Sequence, residues 1–393
     1  MKKSIFSTLA ATMMTGNIIA QNPAISAIYT PDPAPYVYGD KVYLFVDHDE
    51  DDATYFLMKD WLVFSSEDMV NWQYLGAQVN TGTFKWARQG DRAWAAQAVE
   101  HKGKWYWYLC CNTADGKDAL AVAVADRPTG PWKDPIGRAL ISRQTPNCGN
   151  VTWLFDPAVL VDTDGTGYLY FGGGVPNGKA SNPGTARVVK LGNDMTSIVG
   201  TPVAIDAPWI FEDSGINKIG NTYVYSYCTN WSIPEGQVVT NGQIAYMTSD
   251  SPMGPFEFKG VVLRNPGEFF GDWGNNHHCM FTFKNKNYMS YHARILEARQ
   301  FIKHGYRSTN IDYLTVNDDG TLASVTPTKK GVEQTDTLNP FEKTSAATMS
   351  SMAGITTCGC TQMSILYGSG EMSVKNKKAG DWIYIEGADF NAD

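Results

Sequence analysis

The chain has 393 residues, 43% of them hydrophobic and 18% charged, a composition that supports a large buried core and excludes an intrinsically disordered protein. The formal net charge is −8 and no basic cluster appears, which argues against nucleic acid or an anionic membrane surface as a partner.

The first twenty residues read as a separate unit. Lys2 and Lys3 precede a short, largely apolar run, and Ile18-Ile19-Ala20 closes it before Gln21. A charged start, a short apolar stretch and a small residue at the break predict a secretory signal peptide over residues 1–20, and hence a secreted or periplasmic protein. A membrane span needs about 20 apolar residues, so no membrane insertion is expected. The seven cysteines are odd in number and scattered, and neither Cys110-Cys111 nor Cys358-Gly359-Cys360 has zinc-finger spacing. They read mainly as small apolar residues, with room for one or two bridges after export.

From residue 32 onward one unit recurs five times. Its copies open at Asp32-Pro33-Ala34-Pro35-Tyr36, Trp94-Ala95-Ala96-Gln97-Ala98, Asp156-Pro157-Ala158-Val159-Leu160, Glu212-Asp213-Ser214-Gly215-Ile216 and His277-His278-Cys279-Met280-Phe281. Each reaches a Gly- or Asn-bearing turn seven to nine positions on and returns through an aromatic strand such as Trp105-Tyr106-Trp107-Tyr108-Leu109. The opening residues, at 32, 94, 156, 212 and 277, fall 62, 62, 56 and 65 apart. A third strand and a second turn follow in each copy; in the fifth, the third strand is read at Tyr313-Leu314-Thr315-Val316. Four-stranded units repeated about an axis predict an all-β protein, a five-bladed β-propeller over residues 23–335, and no long helix of period 3.6 opposes that reading. The competing architecture is a long β-sandwich with incidentally similar hairpins.

The first strands of a propeller converge on one end of its channel. Asp32, Asp156 and Glu212 then face one pocket, with Trp94 and His277 beside them. Three gathered carboxyls repel, which raises the pKa of at least one, and a raised and an ionised carboxyl together supply a general acid and a general base. Glycoside hydrolysis requires that pair, and Trp and Tyr suit sugar faces. Taken singly, an Asp before Pro commonly serves only a turn, and Glu212 beside Asp213 is an ordinary loop acid; the repetition is what lifts them. Asp162-Thr163-Asp164-Gly165 opens like a calcium loop but lacks the closing Glu, so it reads as a hairpin turn.

Asp32-Pro33-Ala34-Pro35, Phe155-Asp156-Pro157-Ala158 and Phe211-Glu212-Asp213-Ser214 resemble, in order, the three catalytic blocks of glycoside hydrolase family 43. The resemblance covers roughly residues 23–335. It implies a five-bladed propeller and an inverting hydrolase, with Asp32 as general base, Asp156 as the carboxylate that orients the acid and raises its pKa, and Glu212 as general acid. Inversion requires roughly 6.5–9.5 Å between base and acid. The family also places a histidine on the channel axis, here His277 in preference to His278, where a largely hydrated calcium ion is possible; no organic cofactor is implied. Trp94 would wall the sugar pocket, and Arg307 or its rival Arg294 would hydrogen-bond a sugar hydroxyl. Both arginines could equally be ordinary ion-pair partners.

The runs His48-Asp49-Glu50-Asp51 and Met58-Lys59-Asp60-Trp61 resemble the subgroup that removes α-L-arabinofuranosyl branches from arabinoxylan, a hemicellulose partner. An exo-acting β-xylosidase is the alternative, and a non-catalytic glycan-binding propeller is the alternative from another class. Residues 47–60, 81–93 and 231–242 are the loops expected to decide. Residues 342–393 change character and resemble part of a family 6 carbohydrate-binding module, a β-sandwich. They make either a truncated module or a small extension packed on the propeller.

Overall fold

The computed structural model describes residues 22–51, 53, 56–359 and 372–391; the leader expected at residues 1–20 and Cys360 lie outside them. Blade one comprises β1 (Ala34–Tyr38), β2 (Lys41–Asp47), β3 (Asp60–Ser66) and β4 (Trp72–Asn80). Blade two comprises β5 (Trp94–His101), β6 (Lys104–Asn112) and β7 (Asp118–Ala125). Blade three comprises β8 (Ala158–Val161), β9 (Gly167–Phe171), β10 (Ala186–Leu191) and β11 (Ile198–Ile205). Blade four comprises β12 (Ile210–Ile219), β13 (Thr222–Thr229), β14 (Ile244–Ser249) and β15 (Glu257–Leu263). Blade five comprises β16 (His278–Phe283), β17 (Lys286–Ala293) and β18 (Ser308–Tyr313). Strands within a blade pair antiparallel with their sequence neighbours. In every blade the first hairpin turns through a residue of positive φ: Gly39, Gly103, Gly165, Gly220 and Asn285. Gly and Asn tolerate that conformation, which is why those turns are legible in the sequence.

The core lies between blades. Successive side chains of a strand point to opposite faces, so β6 sends Trp105, Trp107, Leu109 and Cys111 toward blade one and Tyr106, Tyr108 and Cys110 toward blade three. Likewise β13 sends Tyr223, Tyr225 and Tyr227 toward blade three and Val224 and Cys228 toward blade five. At about 1.5–3 kcal/mol for each large apolar side chain fully buried, these layers dominate stability. The cysteines at 110, 111, 148, 228 and 279 are buried and unbridged, as small apolar residues are.

Two blades depart from the four-strand expectation. In blade two, Pro128, Pro131 and Pro135 interrupt the outer segment, leaving isolated bridges from Val124 to Lys133 and from Leu120 to Ile141. In blade five the third strand is β18, so the reading of Tyr313–Val316 was displaced by five residues. The edge of β18 is occupied by the start of the described chain: the Ala24 N–H donates to the Thr309 carbonyl (2.8 Å), the Thr30 N–H to the Arg307 carbonyl (3.0 Å), and the Asn22 side chain accepts from the Ile311 N–H (2.9 Å). Residues 22–30 thereby clasp the last blade and close the ring.

Two helical turns, α1 (Gly267–Phe270) and α2 (Ile295–Arg299), interrupt the β-structure of blades four and five. Among the described residues, no helix is long and apolar enough to cross a membrane. Beyond the propeller, β19 (Thr348–Met349) pairs with β4. Then β20 (Ser351–Ala353) pairs with β23 (Trp382–Tyr384), and β21 (Ile355–Gly359) with β22 (Met372–Asn376). Asn71 and the backbone of Glu386 exchange hydrogen bonds of 2.9 Å in both directions, docking this segment on blade one.

Candidate active site

Asp32 and Asp156 each stand two residues ahead of their blade's first strand, and both have φ near 50°. The following Pro leaves neither residue free to adopt the helical region, and Asp is among the few residue types that accept left-handed backbone. In blade four the matching conformation belongs to Asp213 (φ 66°), not to Glu212. Register shifts in β12 on both sides of Glu212 mark a bulge there, and a bulge re-aims a side chain. The repeat therefore places Glu212 one residue away from strict equivalence with the other two acids.

Asp32, Asp156 and Glu212 line one cavity of about 770 Å³, together with Trp94, His277 and Arg307. Its walls are aromatic. The Trp153 ring meets Phe155 and Phe211 edge-on at 5.2 and 5.0 Å, while Trp94 is held by a bond from its Nε1 to the Phe56 carbonyl (3.1 Å). Trp231 and Trp273 stand at the rim, 36% and 50% exposed. Trp273 follows α1, in a segment outside the three loops expected to decide; no short-range sequence signal ties it to the cavity. A second cavity of about 430 Å³ lies between the propeller and the C-terminal segment, lined by Trp382 and Tyr384 and by none of the three acids.

The buried carboxyls divide by whether a cation touches them. Arg307 Nη1 donates to both oxygens of Asp32 (3.1 and 3.2 Å), Nε and Nη2 donate to Asp49 (3.1 and 2.7 Å), and Nη2 also reaches the Met58 sulfur. Burial alone would raise the Asp32 pKa, but Arg307, His277 and His292 outweigh it and hold Asp32 well below the usual carboxylate range. Glu212 is equally buried and, among the described residues, has no such partner; its Oε1 has no hydrogen bond there. Burial, then the nearby charge of Asp156, pushes its pKa well up. One cavity thus holds an anionic carboxylate and a protonated carboxylic acid.

Asp156 lies between the two. Its Oδ2 accepts from the Asp213 N–H (2.8 Å) and faces His277 Nε2 at 3.2 Å. Burial raises its pKa, with His277 opposing. The other ring nitrogen of His277 faces Asp213 Oδ1 at 2.9 Å. Burial disfavours the imidazolium, yet Asp213, Asp32 and Asp156 together push the His277 pKa well above its ordinary value. His278 sits behind, with Nδ1 on Asp213 and Nε2 2.7 Å from the Ser226 hydroxyl, and does not line the cavity. Asp213 therefore anchors both histidines, a role that nothing in its local sequence announces.

A histidine metal ligand must offer a neutral lone pair. Asp156 and Asp213 stand 3.2 and 2.9 Å from the two His277 nitrogens, although Nε2 makes no hydrogen bond among the described residues; the charge around the ring favours its protonated form, which has no lone pair to offer calcium. The substrate-contact expectations for the arginines also change. Arg294 lies outside the cavity: its guanidinium covers Gly274 and Gly305, and it lines a separate recess with Asp49 and Tyr306. Arg307 does line the cavity, where its guanidinium is held by Asp32, Asp49 and Met58. His292, whose Nδ1 is 2.9 Å from Asp32 Oδ1, was missed; it is the penultimate residue of β17, the second strand of its blade.

A close approach between blades three and four completes the site. A Cβ on Gly173 would stand 2.4 Å from the Phe211 carbonyl oxygen and 2.7 Å from the Phe155 ring, so only glycine lets these two walls meet.

The comparisons with known proteins agree with this geometry. The arabinoxylan arabinofuranohydrolase of Paenibacillus polymyxa is 43% identical over 94% of this chain, which spans 61% of that protein's length. A crystal structure of a Bacillus subtilis arabinoxylan arabinofuranohydrolase of glycoside hydrolase family 43, in complex with cellotetraose, superposes with a TM-score of 0.82 at 40% identity, covering 92% of this chain and 78% of that one. A β-xylosidase/α-arabinofuranosidase from a compost metagenome, in complex with xylotriose and described as a calcium-free form, gives 0.64 at 28% identity, covering 78% and 97%. The sequence profile of glycosyl hydrolases family 43 matches residues 20–322. The chain belongs to glycosyl hydrolases family 43.

Proposed function

We propose that this chain is an inverting glycoside hydrolase that removes α-L-arabinofuranosyl side chains from arabinoxylan, with Asp32 as general base, Glu212 as general acid and Asp156 as the residue that tunes the acid. The observation that carries the reading is the division of the carboxyls: Asp32 clamped to a buried guanidinium, and Glu212 buried in the same cavity with no cation against it. In this mechanism Asp32 takes a proton from a water that attacks the anomeric carbon, as the bond to the leaving xylosyl oxygen breaks. Glu212 gives that oxygen its proton from the other side. Asp156 favours the protonated form of Glu212 by its charge, while His277 limits how many carboxyls must stay neutral. His277 itself supplies positive charge on the axis, so calcium has no step in this reading.

The substrate reading is supported by the relatives named as arabinoxylan arabinofuranohydrolases and by the exposed tryptophans at the rim, which suit a polymer lying across the cavity mouth. An exo-acting β-xylosidase is the second reading, favoured by the relative that carries both activities in its description. Parallel incubation with nitrophenyl α-L-arabinofuranoside, nitrophenyl β-D-xyloside and wheat arabinoxylan decides. Arabinose from the polymer with little xylose supports debranching, xylose from the small xyloside alone supports the xylosidase, and no product from any supports a glycan-binding propeller. We also propose export to the periplasm or medium through residues 1–20; N-terminal sequencing of the exported protein would start near Gln21.

A further inference from the structure

Asp47 closes β2 directly behind the base. Its backbone N–H donates to the carbonyl of Pro31, the residue before Asp32, at 3.2 Å, and its side chain is almost wholly shielded from solvent. Among the described residues no donor reaches either of its carboxyl oxygens, and the neighbouring acid that bears most on it is Asp32. A bare carboxylate in such a position is very costly, whereas a carboxylic acid needs only an acceptor for its one proton. Two neighbouring carboxyls share a proton, and the surroundings decide which keeps it. The guanidinium of Arg307 grips Asp32 and Asp49 and makes no hydrogen bond to Asp47. The charge therefore settles on Asp32.

We propose that Asp47 is a positioning residue for the base, a neutral carboxylic acid whose O–H donates to Asp32 and helps to hold it as the anion. This rests on the reading of Asp32 as general base. Burial, and then the charge of Asp32, pushes the Asp47 pKa well up, in agreement with that assignment. The other groups facing this pair are Arg307 with its second partner Asp49, and the imidazoles of His277 and His292. Of these, burial holds His292 below its ordinary pKa.

The test is the pH profile of kcat/KM on nitrophenyl α-L-arabinofuranoside for wild type, Asp47→Asn and Asp47→Ala. An amide donor in Asp47→Asn keeps the acid limb near its wild-type position. Asp47→Ala removes a hydrogen bond to a charged acceptor and moves the acid limb up by about one to two pH units, leaving the alkaline limb in place. A downward move in Asp47→Asn would mean that a negative charge had been removed, and an unmoved limb in Asp47→Ala would mean no coupling; either result overturns the proposal. Difference infrared spectroscopy gives a readout independent of activity and of the substrate reading. At neutral pH the wild type is expected to show two protonated-carboxyl C=O components, one lost in Glu212→Gln and a different one lost in Asp47→Asn. An Asp47→Asn spectrum with every wild-type protonated-carboxyl component intact would leave Asp47 ionised and sink the idea, even were the protein inactive on every glycoside.

Discussion

Replacing Arg307 with methionine keeps most of the buried side-chain volume and removes the cation from Asp32 and Asp49. Breaking a buried pair in this way leaves an uncompensated charge and costs about 3–5 kcal/mol; with two carboxylates orphaned, the upper end is expected. The sign of the pH dependence follows from Asp32. In the wild type its folded pKa is depressed, so its stabilising contribution is complete above the unfolded value, roughly 4, and disappears as pH falls through the lower folded value. Without Arg307, burial has less to oppose it and the folded pKa rises. Ionised Asp32 then destabilises the fold at neutral pH, and protonation relieves it. Urea unfolding at about pH 7 and about pH 4 should therefore show a larger deficit for Arg307→Met at the higher pH, and the acid limb of kcat/KM should move up. An equal deficit at both values, with an unmoved acid limb, would refute the claim that Arg307 holds the base ionised.

Glu212→Gln should lose at least about two powers of ten in turnover, the usual scale for a general acid, and lose the alkaline limb of the pH profile, while equilibrium binding of arabinoxylan oligosaccharides survives; full activity would remove Glu212 from the mechanism. Thermal unfolding and turnover should be the same with and without a chelator, because Asp213, Asp32 and Asp156 favour a protonated His277 with no lone pair for an ion. A rise in melting temperature with added calcium that His277→Ala abolishes would show instead that the ring turns to serve the ion. Gly173→Ala should distort the contact between Phe155 and Phe211, lowering kcat/KM well before it unfolds the chain; a variant with wild-type kinetics would show that the two walls yield without cost.

The propeller was legible because its signals are local. Alternating apolar strands such as β6, and turns that demand Gly or Asn, repeat at a nearly constant interval, and the Asp-Pro pair marks two of the three acids. The remaining features depend on contacts between blades. Arg307 and Asp32 are far apart in sequence, as are Asp213 and His278, so nothing in either neighbourhood announces the pairing. Arg294 and Arg307 could not be told apart because they stand on the same blade, and only the fold decides which guanidinium points inward. The bulge at Glu212 hid the fact that Asp213 takes the backbone position of Asp32 and Asp156. The third strand of blade five was misplaced because its outer edge is filled by residues 22–30, from the opposite end of the propeller.

The central claim, inversion at an arabinofuranosyl branch by the Asp32 and Glu212 pair, is tested most directly by proton NMR of the first product released from arabinoxylan, followed before mutarotation. The account predicts free arabinose in the β-L configuration, inverted from the α-L linkage, from the wild type and essentially none from Asp32→Asn or Glu212→Gln. Arabinose of retained configuration, or xylose as the first sugar released, would contradict it.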